Sequence, residues 1–342
     1  MLAAALADHD GALAVAVSGG GDSLALMHLL AAYAKARKRP APVVLTVDHG
    51  LRKNSSRDAK QVAAWARAAG LTAHVLSWRG PAPKSGIEAA AREARYRLMG
   101  DWLVKHKIAT LHVGHTIDDQ AETFLLRLAR GSGLDGLSAM RARAPWPVPG
   151  FAHLSVARPL LGIARADLRA WLKARGHAWL DDPMNEDAAF DRVKIRRARD
   201  ALNDLGLTAP RIAAAAGHLA RARAALETVT QAVLARAVAP EGGIKVGLLL
   251  DPAVLAAAPR EVGLRSLAAV LMAVSGQPYR PRFDALERLF ERIVAGSLGA
   301  GATLHGCHIG PAAKGRAERR LLVSREKPRK TAGSLKKATS VA

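Results

Sequence analysis

Two clusters of residues in this chain could do chemistry together, a serine-flanked glycine turn and a knot of carboxylates. The turn is Ser18-Gly19-Gly20-Gly21-Asp22-Ser23. Three successive glycines let a ligand approach the main chain closely, because no side chain intervenes. Asp22 and Ser23 fall where a helix begins, so unpaired amide N–H groups and the positive end of the helix dipole point outward. Such a turn binds an anion. The carboxylates are Asp118, Asp119 and Glu122, within the run Gly114-His115-Thr116-Ile117-Asp118-Asp119-Gln120-Ala121-Glu122-Thr123. The i,i+3 and i,i+4 spacings bring them near one another on a helix. Dipole complementarity alone favours acids at a helix start, yet three of them in so basic a chain suit a cation, either magnesium or an amine substrate.

Further candidates flank these two. Asp48 opens the run Asp48-His49-Gly50-Leu51-Arg52; it suits a ribose hydroxyl or a magnesium ion, with His49 and Arg52 placed for phosphate, although a surface turn capped by Asp reads the same way. Glu88 and Arg92 are an i,i+4 pair, and Arg92, Arg95 and Tyr96 share one helical face. A third group is the basic run holding Arg192, Lys194 and Arg196. Charged faces of this kind are more often solvated than functional. The turn itself is neither a Walker loop, since no Lys follows its glycines, nor a dinucleotide fingerprint, since no third glycine stands in register.

The elements that must position these residues alternate. Leu13 to Val17 reads as a buried strand running into the glycine turn, and the helix beyond it carries Leu24, Met27 and Leu30. Pro42 to Val47 predicts a second strand, followed by a helix through Trp65 to Ala69 that Gly70 closes. Ala73 to Ser77 is a third strand, Ile87 to about His106 a helix, Thr110 to Gly114 a fourth strand and Asp118 to Arg130 a helix. This βαβα rhythm predicts an α/β fold, a parallel sheet with helices on both faces. Such sheets bind ligands at the carboxyl ends of their strands, where the polar clusters lie.

Composition narrows the class. At 342 residues and 36.1 kDa, the chain is long enough for two domains, each with a core of its own. The formal net charge of +22 suits a polyanionic partner, although a genome rich in Arg and Ala would also raise it. A single cysteine, Cys307, excludes a disulfide framework and any cysteine-held cluster. The N-terminal apolar run is short and meets Asp8 and Asp10, so no signal peptide is expected, and no apolar run is long enough to span a bilayer. A cytoplasmic protein with no membrane partner is the expectation.

Ser18 to Ser23 resembles the PP-loop of the ATP pyrophosphatases. The order SGGGDS, VDHGLR, the E…AR…RY helix, GHTIDDQAETFLLRLARGSGLDGLSAM, RPLL and DDPMNED…FDRVKIR resembles the tRNA(Ile)-lysidine synthetase family, closely over about residues 12 to 200. GATLHGC and the VSRE segment look like the end of that family's C-terminal domain. The resemblance implies a Rossmann-like PP-loop domain over 1–205 and a smaller, mainly helical tRNA-recognition domain over 211–326, with the turn residues of Asn203 to Pro210 read as the linker; the basic, polar composition of 327–342 predicts a disordered tail. It also implies an enzyme that uses ATP and magnesium to adenylate the C2 carbonyl of the wobble cytidine in the CAU-anticodon isoleucine tRNA. The ε-amine of free lysine then displaces AMP and leaves lysidine.

Carried over by motif, Ser18, Gly19, Gly20, Gly21, Asp22, Ser23, Asp48 and His115 would hold ATP. Asp119 and Glu122 would bind the lysine ammonium, and Asp48 and Asp118 would serve magnesium. Asp48, Asp118, Asp119 and Glu122 would form the catalytic set, one carboxylate acting as base. Arg52, Arg92, Arg95, Arg192, Lys194 and Arg196 would meet tRNA phosphates or the triphosphate. The chain departs from the family at Met184 and Val193, where a small Ser and an Asn are usual. Family members are often dimers, though no seam for one is visible, and longer members carry one more C-terminal domain that this chain is expected to lack. A tRNA thiolase of the nearest type would need paired cysteines, and a non-catalytic RNA binder would not need the turn, Asp48 and the acids together. The second half shows Ala-rich helices over Arg211 to Val238, further helices over Asp251 to Ser275 and Pro281 to Gly296, and a hairpin from Thr303 to Ile309 with Arg320 to Ser324.

Overall fold

The computed structural model describes residues 11–51, 54–80, 86–181, 191–240, 247–312 and 320–326. It divides into two compact units, Met1–Arg221 and Ala222–Ala342. In the first unit the elements are β1 (Ala14–Ala16), α1 (Gly21–Ala36), β2 (Val43–Asp48), α2 (Ser55–Ala68), β3 (Ala73–Ser77), α3 (Ile87–Lys105), β4 (Thr110–His112) and α4 (Ile117–Ala129). There follow α5 (Leu134–Leu137), β5 (Arg143–Pro145), β6 (Ser155–Ala157), α6 (Arg165–Lys173), α7 (Asp191–Arg197) and α8 (Arg199–Asp204).

Six strands form one sheet in the order β3-β2-β1-β4-β6-β5. All neighbours are parallel except β5, which runs antiparallel to β6. The βαβα alternation predicted the parallel part; β5 and β6 were missed, because Pro145, Pro147, Pro149 and Gly150 make that stretch read as loop. Successive strand residues face opposite sides of a sheet, and the core divides accordingly. Val15 and Val44 pack with Leu24, Leu26 and Leu30 of α1, Val62 of α2 and Leu168 and Leu172 of α6. Ala14 and Leu45, one position away, pack with Tyr96, Met99 and Leu103 of α3 and with Trp146 and Phe151. Helices therefore cover both faces.

The strand order reverses direction at β1, whose neighbours are β2 and β4. That reversal leaves a crevice beyond the carboxyl ends of β1 and β4. The glycine turn leaves β1 and the acidic run leaves β4, so topology alone brings the two clusters to one place.

The helix α9 (Ala209–Ala237) runs through the division between the units. The second unit adds β7 (Val238–Pro240), β8 (Gly247–Leu250), α10 (Pro252–Ala257), α11 (Arg260–Ser275), α12 (Phe283–Val294), β9 (Ala302–Leu304), β10 (Cys307–Pro311) and β11 (Leu321–Arg325). The helical stretch expected from Asp251 to Ser275 is two helices, because Asp251 caps the first and Pro259 separates it from the second. The expected hairpin is the centre of a larger antiparallel sheet, β7-β8-β11-β10-β9. Cys307 is buried there, with its thiol donating to the Leu271 carbonyl at 3.3 Å. The expected tail at 327–342 lies outside the described residues.

Candidate active site

The glycine turn is held by its own serines. Ser23 Oγ donates to the Gly20 carbonyl at 2.9 Å and accepts from the Ser18 amide at 3.2 Å. Gly19 has φ +97, and a Cβ there would stand 2.7 Å from the Leu180 side chain. Leu180 also donates its amide to the Gly19 carbonyl at 2.9 Å, fixing the turn from outside. Gly114 performs a matching service at the end of β4, since a Cβ there would come within 2.9 Å of the Asp22 carbonyl oxygen. No side chain caps the start of α1. Its first amides therefore remain available to an anion.

The acidic run begins α4 with a capping box. Thr116 accepts from the Asp119 amide through its hydroxyl, and Asp119 Oδ2 accepts from the Thr116 amide at 2.8 Å and hydroxyl at 2.9 Å. Each acid then meets an arginine. Arg165 donates from Nε to Asp22 Oδ2 at 2.9 Å, from one terminal nitrogen to Glu122 Oε1 at 3.2 Å and from the other to Asp119 Oδ1 at 3.0 Å. Its main-chain amide donates to Asp118 Oδ2 at 2.8 Å. Arg196 grips Glu122 in a two-pronged contact at 2.7 and 3.0 Å, and the Arg199 guanidinium donates to Asp118 Oδ1. One guanidinium thus spans the glycine turn and the acidic helix.

Burial lowers the Arg165 pKa, but Asp119, Glu122 and Asp22 outweigh it and raise it overall. Burial also raises the Asp22 carboxyl above its ordinary value, against the pull of Arg165. Asp22 Oδ1 is enclosed and has no hydrogen-bond partner among the described residues. His115 accepts from Arg158 Nε at 3.2 Å through Nδ1, so the neutral ring carries its proton on Nε2. Burial, then the charges of Arg158, Arg92 and Arg192, push His115 down to about 4 against the opposing effect of Asp119. At neutral pH this ring is a donor.

Asp48 ends β2, on the same carboxyl edge of the sheet as the turn. Its Oδ1 accepts from the Ser55 hydroxyl and from the Gly50 amide at 3.1 Å, and these bonds, the hydroxyl first, hold its carboxyl below the usual range. No contact joins Asp48 to the acidic helix among those described. Arg92 stacks over the Tyr96 ring at 5.0 Å, Arg95 is half-buried beside it, and Lys194 pairs with Asp191 on the surface at 3.4 Å. Arg52 and the Asp182 to Phe190 segment, with Met184, lie outside the described residues. Arg165 and Arg199 escaped the sequence reading, and Arg158 entered it only as the first residue of RPLL, with no role of its own. Arg165 left one signal, because a cation in the first turn of a helix opposes the dipole unless acids face it.

A family model described as a PP-loop domain matches residues 2–199. A tRNA(Ile)-lysidine synthase from Ruegeria pomeroyi is 42% identical over 79% of this chain and 62% of its own length. One from Wolbachia pipientis wMel is 35% identical over 88% of this chain and 68% of its own. One from Methylobacterium nodulans is 41% identical over 94% of this chain and 92% of its own. The chain thus spans less than two thirds of the Ruegeria relative and nearly all of the Methylobacterium one. Among solved structures, a U34-tRNA thiolase from Methanococcus maripaludis superposes with a TM-score of 0.50 at 16% identity, over 61% of this chain and 72% of that one, and shares the fold. With a PP-loop domain at its head and these relatives along most of its length, the chain belongs to the tRNA(Ile)-lysidine synthase family.

Proposed function

We propose that the protein ligates lysine to C2 of the wobble cytidine in the CAU-anticodon isoleucine tRNA, cleaving ATP to AMP and pyrophosphate. The observation that carries this reading is the Arg165 bridge from Asp22 to Asp119 and Glu122. A phosphate cradle and an amine-binding acid pair must lie close enough to act on one pyrimidine, and a single side chain reaches both. Cytosine C2 is a poor electrophile. Adenylating its oxygen supplies a leaving group, and the amides at the start of α1 stabilise negative charge on the departing phosphates.

Asp119 and Glu122 offer oxygens to the lysine ammonium, which must share or displace Arg165 and Arg196 to reach them. The amine must lose a proton before it attacks. His115 is not the acceptor, since its proton-free nitrogen is occupied by Arg158, and its Nε2–H suits a phosphoryl oxygen instead. Among the described residues no cluster of three or more His, Cys, Asp or Glu is arranged to hold a metal ion. The enclosed Asp22 Oδ1 would hold a magnesium ion, with Asp48 the further carboxylate at that edge of the sheet; once bound, the ion would neutralise phosphate charge. Both oxygens of Asp118 accept hydrogen bonds, from Arg199 and from the Arg165 amide, which tie α4 to α6; a magnesium ion there would share them. Labelled lysine should enter the CAU-anticodon tRNA in the presence of ATP and in no other tRNA. Asp119→Ala should abolish that entry, and normal incorporation by this variant would refute the assignment.

A further inference from the structure

The corner between α11 and α12 displays two aromatic rings to solvent. Tyr279 is 80% exposed and Phe283 is 58% exposed. Arg280 and Arg282 alternate with them and are exposed too, while Pro281 between the arginines is buried. Asp284 is the one acid from Gly276 to Leu286.

The corner is braced rather than loose. Gly276, in the left-handed conformation, ends α11, and Pro278 and Pro281 restrict the chain that follows. Phe283 opens α12, whose other face buries Leu286, Leu289, Phe290 and Ile293 in the core of the second unit. Arg260, at the start of α11, pins α12 through Glu287 at 2.8 Å and Glu291 at 2.7 Å. A backbone held this way loses little freedom on binding.

We infer that Tyr279 and Phe283, with Arg282 beside them, form a stacking platform for unpaired bases of the RNA substrate. Exposed rings interleaved with guanidiniums match what a nucleic acid single strand presents, flat faces strung along a line of negative charge. Charge complementarity favours RNA over a second copy of the chain, which carries the same net charge of +22. The inference rests on the tRNA reading above for the identity of the RNA, but not for the chemistry of the contact.

Binding of the full chain to transcribed CAU-anticodon tRNA should be measured across a salt series. Tyr279→Ala with Phe283→Ala should weaken it at least about tenfold and leave the salt slope unchanged, because stacking releases no counterions. Arg282→Ala should reduce that slope by about one phosphate's share. Tyr279→Trp with Phe283→Trp should restore affinity, and a blunt RNA duplex should bind the wild type and the alanine variant alike. Wild-type affinity in a folded alanine variant would overturn the inference, as would an equal loss in the tryptophan variant. Loss of self-association in sedimentation with tRNA affinity intact would overturn it too and assign the corner to a second copy. Failure of lysine transfer by the wild type, with the alanine variant still deficient in RNA binding, would sink the proposed reaction and leave this inference standing.

Discussion

Arg165 uses its three side-chain nitrogens on three different acids, a task that requires the planar fork of a guanidinium. Arg165→Lys keeps the charge but gathers its donors on one nitrogen, which cannot span Asp22, Asp119 and Glu122 as the guanidinium does, so we expect lysine incorporation to fall about a hundredfold through misplaced groups. Arg165→Ala leaves enclosed carboxylates facing one another, and the loss of stability, read by urea titration, should be about 3 kcal/mol. His115 supplies a second test at this scale. Its folded pKa of about 4 lies below its unfolded value of 6.5, so the unfolded chain takes up the proton first as pH falls. The stability it contributes is complete above 6.5 and is lost progressively down to about 4. NMR titration of the ring should show that midpoint, and Arg158→Ala should move it upward by removing a neighbouring charge.

At the scale of elements, the turn and β4 must nearly touch, and Gly114 is what permits it. Gly114→Ala drives a methyl against the Asp22 carbonyl and should cost about 1–3 kcal/mol, with a matching loss of ATP–pyrophosphate exchange. Gly50→Ala is the control, since nothing lies within 4 Å of its Cβ and only its φ of +62 is strained; thermal melts should separate the two. The reach of the sequence is plain from the same elements. The β3 bounds, the start of α4 and the glycine turn could be read because apolar runs, glycines and acids mark them locally. The arginine pairings could not be read, because Arg165, Arg196 and Arg199 meet acids that only folding brings near. β5 and β7 were equally silent, because each holds a proline, Pro145 or Pro240, that reads as loop.

For the whole molecule, a net charge of +22 is either a device for holding RNA or a habit of composition. The two differ in salt. A tRNA-binding protein of this charge should lose affinity steeply as salt rises, each neutralised phosphate adding about 0.7 to 0.9 to the logarithmic slope; a flat curve would make the charge incidental. Among the described residues no helix is long and apolar enough to cross a membrane. Asp22 and Arg165 lie 143 positions apart in the chain. During synthesis, then, the acids of α4 and the turn emerge from the ribosome well before their counter-charges do, and a chain halted after α4 holds them without the guanidiniums that pair them. Assembly of the crevice is thereby timed to the arrival of α6, α7 and α8, whose Arg165, Arg196 and Arg199 are all made after the acids they meet.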